Sequence, residues 1–296
     1  MKHLPSISIG IPAYNEARNI KKLLKSLLAQ KEVGFRLESI IVVSDGSFDT
    51  TGIQVKSLKD KRIKLWDDHK RLGKSARLNQ LFRKNSADVL ILADADIKIA
   101  DPNLLSTIIN DSDFKHEGIV AVNATPTRGK TFIENSLNAG AFAVKQMSED
   151  WRNGNNYLSF KGCFLALDKN LVKKISIPAT LVNNDAFLYF SALAYNYTPA
   201  YRKNCVVYYR SPATLDDHIK QSSRFKSSSE ELKQYFKLDL EKEYKTPIAI
   251  MLSSILQSLI KRPVFFLAYL GINSISQIKK QTNIKSTWSI ASSTKQ

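Results

Sequence analysis

The feature that most constrains this chain is a repeated unit: a short run of branched and aliphatic residues, then a polar turn, then apolar residues at helical spacing. Ser6–Ile11 runs into Pro12-Ala13-Tyr14-Asn15-Glu16, after which Ile20, Leu23, Leu24, Leu27 and Leu28 mark one face of a helix. Ile40–Val43 runs into Asp45-Gly46-Ser47, with Asp49 or Thr50 expected to cap the next helix. Ile63–Trp66 leads to a loop containing Gly73 and to a helix carrying Leu78, Leu81 and Phe82. Val89–Ala93 ends in Asp94-Ala95-Asp96, and Asp101 with Pro102 is placed to cap and open the helix that follows.

Alternating strands and helices predict an α/β fold, a mostly parallel sheet with helices on both faces. In such sheets ligands bind beyond the carboxyl ends of the strands. Tyr14, Glu16, Asp45, Asp94 and Asp96 are therefore expected to converge on one crevice although they are scattered in sequence. Further along, Ile119–Ala124 reads as a strand and Thr131–Asp150 as a helix. Leu158–Leu167, with Gly162 inside it, reads as strand or bulge, Asp185–Tyr195 as a helix, and Thr198–Tyr209 as a strand.

With 296 residues, 43% of them hydrophobic, the chain can bury a large core, and its net charge of +17 makes the surface strongly basic. Such a surface suits nucleic acid, an anionic membrane or a phosphorylated ligand. No nucleic-acid motif and no interleaving of aromatic and basic residues into a stacking platform is present, so nucleic acid is not an expected partner. Cys163 and Cys205 are too few and too far apart for a disulfide framework or a zinc site and read as small core residues, which fits a reducing cytoplasm. Pro5 and Pro12 interrupt the first apolar stretch, so an export signal is not expected there.

Two aspartates separated by one residue at a strand end can hold Mg²⁺ or Mn²⁺, which take hard oxygen ligands and complete their shell with water and substrate phosphates. The alternative reading of Asp94 and Asp96 is an ordinary turn after a strand. Asp45 likewise reads as an Asp-Gly turn, Lys74 as a solvated lysine, and Asp185 as the N-cap of its helix. Gly73-Lys74 could present a helix N-terminus to a phosphate but lacks a full glycine-rich phosphate loop.

Together, Ile11-Pro12-Ala13-Tyr14-Asn15-Glu16, Val42-Val43-Ser44-Asp45-Gly46-Ser47-Phe48-Asp49-Thr50-Thr51, Gly73-Lys74 with Leu78-Asn79, and Ala93-Asp94-Ala95-Asp96 resemble glycosyltransferase family 2, whose members have the Rossmann-like GT-A fold. The resemblance covers roughly residues 6 to 225. It implies a nucleotide-sugar donor, a UDP-sugar, with Pro12, Tyr14, Glu16, Asp45, Lys74 and Asp94 on the donor side and Asp96 on a metal bound to the diphosphate. Lys161-Gly162-Cys163-Phe164-Leu165-Ala166 resembles the family's glycine-containing acceptor-side strand, and Asn183-Asn184-Asp185 stands where many members carry Glu-Asp, making Asp185 the candidate catalytic base. Gln221-Ser222-Ser223-Arg224-Phe225 resembles the Gln-x-x-Arg-Trp motif of membrane-linked members, which puts Gln221, Arg224 and Phe225 near the diphosphate and the acceptor. Ser44, Asn184 and Phe225 depart from the family's frequent aspartate, glutamate and tryptophan, and processive polymer synthesis is not expected.

Pro247–Ile260 and Val264–Ile275 are apolar runs whose helical lengths of about 21 and 18 Å fall short of a hydrocarbon core of about 30 Å. Lys261, Arg262 and Pro263 separate them. The pair is expected to lie in the plane of an anionic membrane or to re-enter it, or else to pack on the catalytic domain as a helical hairpin. The expected organisation is a catalytic domain over 1–240, its nucleotide-sugar half about 1–125 and its acceptor half about 126–240, then a helical segment over 241–280 and a polar tail over 281–296.

The expected activity is inverting, metal-dependent hexosyl transfer to a hydroxyl of a lipid-linked or saccharide acceptor, by a peripheral or monotopic protein on the inner face of the cell membrane. Polyprenyl-phosphate sugar transfer is the rival chemistry. A basic nucleic-acid-binding protein and a non-catalytic sugar-binding scaffold are the rival classes.

Overall fold

The computed structural model describes residues 4–179, 181–226, 228–236, 240–278 and 294, with the backbone alone for 223–226, 228–230 and 241. Its centre is a seven-stranded sheet. The strands are β1 (Ser6–Ala13), β2 (Arg36–Ser44), β3 (Ile63–Asp67), β4 (Val89–Ala93), β5 (Ile119–Pro126), β6 (Phe164–Asp168) and β7 (Ala200–Tyr209), in the order β3-β2-β1-β4-β6-β5-β7. β1 pairs in parallel with β2 on one side and β4 on the other, so the order reverses at β1 and opens a crevice beyond its carboxyl end.

Within this mostly parallel sheet β6 is the exception: it runs antiparallel to both β4 and β5. The strand expected over Leu158–Leu167 is also shorter than its apolar run, since Tyr157–Ser159 forms a 3₁₀ turn and pairing begins only at Phe164. Reversal brings the start of β6, with Lys161, Gly162 and Cys163 before it, to the rim where the other strands end, because Phe164 pairs with Ala93.

Period-two alternation sorts the strand side chains into two cores. Ile7, Ile9, Ile11, Ile40, Val42, Val89, Ile91, Val120 and Val122 meet α1 (Ile20–Leu28), α2 (Thr51–Lys56) and α4 (Leu104–Asn110). Ile41, Val43, Leu90, Leu92, Ile119, Ala121, Leu165 and Leu167 meet α3 (Lys74–Lys84), α7 (Lys169–Lys174) and α8 (Asn184–Ala194) on the opposite face. Gly10 permits the close approach of α3, since a Cβ there would lie 2.7 Å from Leu81 Cδ1. The expected helix caps are met at one helix and not at the other. Thr50 does not cap α2 through its side chain; Asp49 takes that part, its Oδ1 accepting from the amide of Thr51 that opens α2 (2.9 Å) and its Oδ2 from the amide of Ala17, which ties two loops together. Asp101 accepts from the Asn103 amide in a turn before α4 rather than capping it.

α5 (Phe114–Glu117) precedes β5, and α6 (Phe132–Asp150) follows it, opened by a reciprocal Thr131–Glu134 capping box. Beyond β7 come α9 (Leu215–Lys226), α10 (Ser228–Lys233), α11 (Leu240–Tyr244), α12 (Ile248–Lys261) and α13 (Pro263–Ile278). The last two pack on a small-residue face of α6: Phe266 is buried against Ala139 and Ala143, with Ile255, Leu259 and Tyr269 around them. A Cβ at Gly140 would lie 2.3 Å from the Tyr269 ring. Their outer face remains apolar, with Ile248, Leu252, Leu256 and Ile260 recurring every four residues along α12, each between 58% and 72% exposed. Lys279, Lys280 and the tail, apart from Thr294, lie outside the described residues.

Candidate active site

Asp45 sits at the end of β2 with 0% exposure, and both its oxygens already accept hydrogen bonds. Oδ1 accepts from the amides of Leu72 (2.8 Å) and Gly73 (3.0 Å) and from Arg77 Nε (3.0 Å), while Oδ2 accepts from Arg71 (2.8 Å). Arg77, 1% exposed, also grips Asp68 with two further bonds of 2.7 and 3.0 Å, holding that carboxyl down at about 2. Gly73 enters α3 at φ 89°, a conformation that favours glycine, and this turns its amide toward Asp45. The simple Asp-Gly turn reading of Asp45 therefore fails; the carboxylate is the clasp that seats the loop between β3 and α3. Arg71 and Arg77, its partners, were not distinguished by the sequence reading.

Arg71 carries the clasp to the surface, its guanidinium lying 3.1 Å from the centroid of the Tyr14 ring. Phe48 stands edge-on to the same ring at 6.1 Å and is 82% exposed. The loops after β1 and β2 interlock, the Asn15 amide donating to Ser47 Oγ (3.0 Å) and the Phe48 amide to Asn15 Oδ1 (3.0 Å), with Asn15 at φ 54°. Glu16 is buried just behind them, its amide donating to Thr51 Oγ1 (2.7 Å) and its carboxylate accepting from Asn19 (3.0 Å). The result is a shelf of two rings and a guanidinium at the carboxyl ends of β1 and β2, a surface suited to a flat base.

Next to the shelf, Pro12, Lys74, Asp94, Gly162 and Asp185 line one pocket walled by Leu78, Leu92, Leu165 and Leu188. Lys74 is not the solvated lysine of the alternative reading. Its Nζ is 2.7 Å from Asp94 Oδ1, and although burial opposes its charge, Asp94 and Asp185 together raise its pKa. Asp185 is not the N-cap of α8 either, because Asn183 takes that role by accepting from the Ala186 amide at 3.1 Å. Asn184 is occupied by Ser75 Oγ at 2.8 Å, stitching the starts of α8 and α3 together. Asp185 is thereby left to face the pocket.

Its carboxylate lies directly over Gly162, where a Cβ would come within 1.7 Å of Oδ1. Burial raises the pKa of Asp185; Lys74 and the Gly162 amide oppose the shift and Asp94 adds to it. Four charges, those of Asp94, Lys161, Asp185 and Lys74, act on the partly buried Cys163 thiol, whose pKa is pushed up to about 12, chiefly by desolvation.

Asp96 lies half-buried in the turn after β4, two residues past Asp94. Among the described residues no three carboxylates, histidines or cysteines are grouped to hold a metal by themselves. One or two carboxylates still fit Mg²⁺ or Mn²⁺, which draw their remaining ligands from water and phosphate. Gln221 is exposed on α9 and does not line the pocket, while the side chains of Arg224 and Phe225 lie outside the described residues.

A profile of Glycosyl transferase family 2 matches residues 8–175, more than half of the chain. The chain is 30% identical over 188 residues to a probable glycosyltransferase of Bacillus subtilis, YdaM, covering 59% of this chain and 43% of that protein. It is 25% identical over 237 residues to poly-beta-1,6-N-acetyl-D-glucosamine synthase of Staphylococcus aureus, covering 77% of this chain and 56% of the synthase. The chain thus spans about half the length of these relatives. Among solved structures, mannosyltransferase PcManGT from Pyrobaculum calidifontis, in complex with GDP-Man and Mn²⁺, matches with a TM-score of 0.64 at 16% identity, over 95% of this chain and 77% of that one. Glucosyl-3-phosphoglycerate synthase from Mycobacterium tuberculosis, in complex with phosphoglyceric acid, matches with a TM-score of 0.54 at 16% identity, over 75% and 79%. At those identities the likeness is one of fold, the GT-A arrangement of sheet and helices. The matched stretch runs through the shelf, the aspartate turn and the Gly162 loop, and the chain belongs to glycosyltransferase family 2.

Proposed function

We propose that this glycosyltransferase moves a sugar, with inversion, from a nucleotide-diphosphate sugar of the UDP type to a hydroxyl of a lipid-linked or saccharide acceptor. The observation that carries the reading is Asp185, half-buried over Gly162 in the same pocket as Asp94 and Lys74 and released from capping by Asn183. A carboxylate whose pKa burial has raised is a better base for a hydroxyl proton than a solvated one. Asp185 takes that proton as the hydroxyl oxygen bonds to the anomeric carbon. The bond from that carbon to the diphosphate oxygen breaks, and its electron pair leaves with the nucleoside diphosphate. No covalent enzyme intermediate is needed.

On the donor side, Tyr14, Arg71 and Phe48 receive the base, with Asp45 acting through Arg71 and Glu16 supporting the loop. Asp94 and Lys74 face the ribose and the diphosphate. A divalent cation held by Asp96, with Asp94 beside it, would supply charge neutralisation for the departing diphosphate. Gln221, Arg224 and Phe225 on α9 are assigned to the acceptor and diphosphate side by their motif alone.

The outer face of α12 and α13 is assigned to an anionic membrane surface, which fits the +17 net charge and the Lys261-Arg262 pair between the helices. No described helix is long and apolar enough to cross a membrane. That face also supports a second reading, transfer to a polyprenyl phosphate, where the acceptor is already an anion and Asp185 is dispensable. A screen of nucleotide sugars with Mg²⁺ or Mn²⁺, scoring nucleoside diphosphate release with and without lipid extract, tests both. Asp185→Asn should lower transfer to a hydroxyl by about 10²–10⁴-fold with donor affinity intact. Undiminished transfer by that variant would replace the hydroxyl reading with the phosphate one.

A further inference from the structure

The strand order divides the rim of the sheet, with the turns after β2, β1 and β4 on one half and the loop before β6 and the end of β7 on the other. The donor-side residues belong to the first half. Lys161 and Tyr209 belong to the second. Lys161 immediately precedes Gly162, and its ammonium stands 5.7 Å from the centre of the Tyr209 ring. Tyr208, the neighbour of Tyr209, exchanges backbone hydrogen bonds of 2.7 and 2.9 Å with Lys98, two residues past Asp96. Lys161 and Tyr209 therefore stand on the same rim as the aspartate turn, next to the Gly162 over which Asp185 lies.

Among the described residues the Lys161 ammonium forms no ion pair or hydrogen bond, and the Tyr209 hydroxyl forms no hydrogen bond. Burial pushes the Lys161 pKa down; Cys163 opposes the shift and Lys145 adds to it. Cys163 could help only as a thiolate, and its pKa of about 12 keeps it neutral near pH 7. The face of the Tyr209 ring compensates in part. A half-buried cation with no anionic partner among the described residues, next to the pocket of Asp185, lacks what a ligand could bring: a negative charge with several acceptor oxygens. An ammonium and a phenol are both donors, and a phosphate monoester can accept from both at once.

We propose that Lys161 and Tyr209 bind a phosphate monoester group of the acceptor, setting the attacking hydroxyl against Asp185. The inference rests on the transferase reading above and adds the chemical class of the acceptor.

The test is calorimetric titration of glycerol 3-phosphate into the full chain saturated with UDP and Mn²⁺, with glycerol as control. One-to-one binding of the ester, and none of glycerol, is expected. Lys161→Met should weaken it by about tenfold or more and Tyr209→Phe by less, as expected for loss of a charged and a neutral hydrogen bond. Lys161→Arg should keep most of the affinity, and UDP binding should be the same in every variant. Vesicles containing phosphatidic acid identify the source: retention beyond that on phosphatidylcholine, lost in Lys161→Met, indicates a lipid phosphate, and ester binding without it indicates a soluble one. Equal binding of glycerol 3-phosphate by the native chain and Lys161→Met, or binding only in competition with UDP, overturns the proposal. If UDP does not bind the native chain, the donor-side reading fails, and the Lys161 dependence of phosphate binding is scored without it.

Discussion

Replacing Gly162 by alanine probes the site where it is tightest. Built on the existing backbone, the new methyl would lie 1.7 Å from Asp185 Oδ1, 2.2 Å from Cγ and 2.6 Å from Oδ2. Cβ atoms essentially never approach a heavy atom closer than 3.0 Å, so the carboxylate and the Gly162 backbone must move apart by about 3.0 − 1.7 = 1.3 Å, most readily by rotation of the Asp185 side chain. Backbone strain is not the cause, because Gly162 does not have a positive φ. A misplacement of about 1 Å costs about 10²-fold, and complete loss of a general base about 10²–10⁴-fold. Gly162→Ala should therefore lower kcat/KM for a hydroxyl acceptor by about 10²–10⁴-fold while donor affinity is unchanged, since the shelf of Tyr14 and Arg71 lies on other loops.

The assay is steady-state release of nucleoside diphosphate by four proteins: native, Gly162→Ala, Asp185→Asn and the double variant, with thermal scans to confirm folding. A methyl that acts by displacing Asp185 adds little to a chain that has already lost the carboxylate, so the double variant should resemble Asp185→Asn. A methyl that obstructs the acceptor directly would lower the double variant by the full factor again. Native-like activity of Gly162→Ala, or losses that multiply in the double variant, would refute the placement of Asp185 as base over Gly162.

Three further outcomes are expected. Asp185→Asn should raise the melting temperature near pH 7 and lose that advantage as the pH falls toward about 4, because the raised native pKa means that the native carboxylate loses stability as pH rises from the unfolded pKa through the folded one; a pH series of thermal scans with no such convergence would contradict the burial of its charge. Asp96→Ala, with normal expression, should abolish metal-dependent donor use, as chelation should in the native chain; full activity of the variant in Mg²⁺ would remove Asp96 from the metal site. Substituting Leu252, Leu256 and Ile260 by glutamine should release the chain from anionic liposomes in flotation, while the buried contacts of Phe266 and Tyr269 keep the helices on α6; flotation of the variant equal to that of the native chain would disconnect this face from the membrane.

Much of the sheet was legible because a buried parallel strand has a simple signature, an apolar run closed by a turn. That signature carries no direction. Leu165, Ala166 and Leu167 alternate between the two cores whichever way β6 runs, so the reversal that brings Gly162 to the rim could not be read from its residues. Helix caps were illegible for a related reason: Asn183, Asn184 and Asp185 are consecutive residues of the capping type, and tertiary contacts decide among them. Asn183 caps, Asn184 binds Ser75, and Asp185 remains for chemistry.

The partners of Asp45 were hidden by abundance. With 44 lysines and arginines, nothing local marks Arg71 and Arg77 as the two that fold back across 26 and 32 residues. Of the two readings of the C-terminal pair, packing on the domain is the one observed. Phe266 and Tyr269 need the close approach that Ala139, Gly140 and Ala143 allow, which uses one face of each helix. A second apolar face, from Ile248 to Ile260, is left without a covering element among the described residues. A helix that needed only to pack on its domain would gain nothing from apolar residues on its far side, since leaving them in water costs roughly 1.5–3 kcal/mol per large side chain relative to burial. Packing on α6 therefore explains where the pair sits, and the exposed face requires a separate physical reason, which contact with a lipid surface would supply.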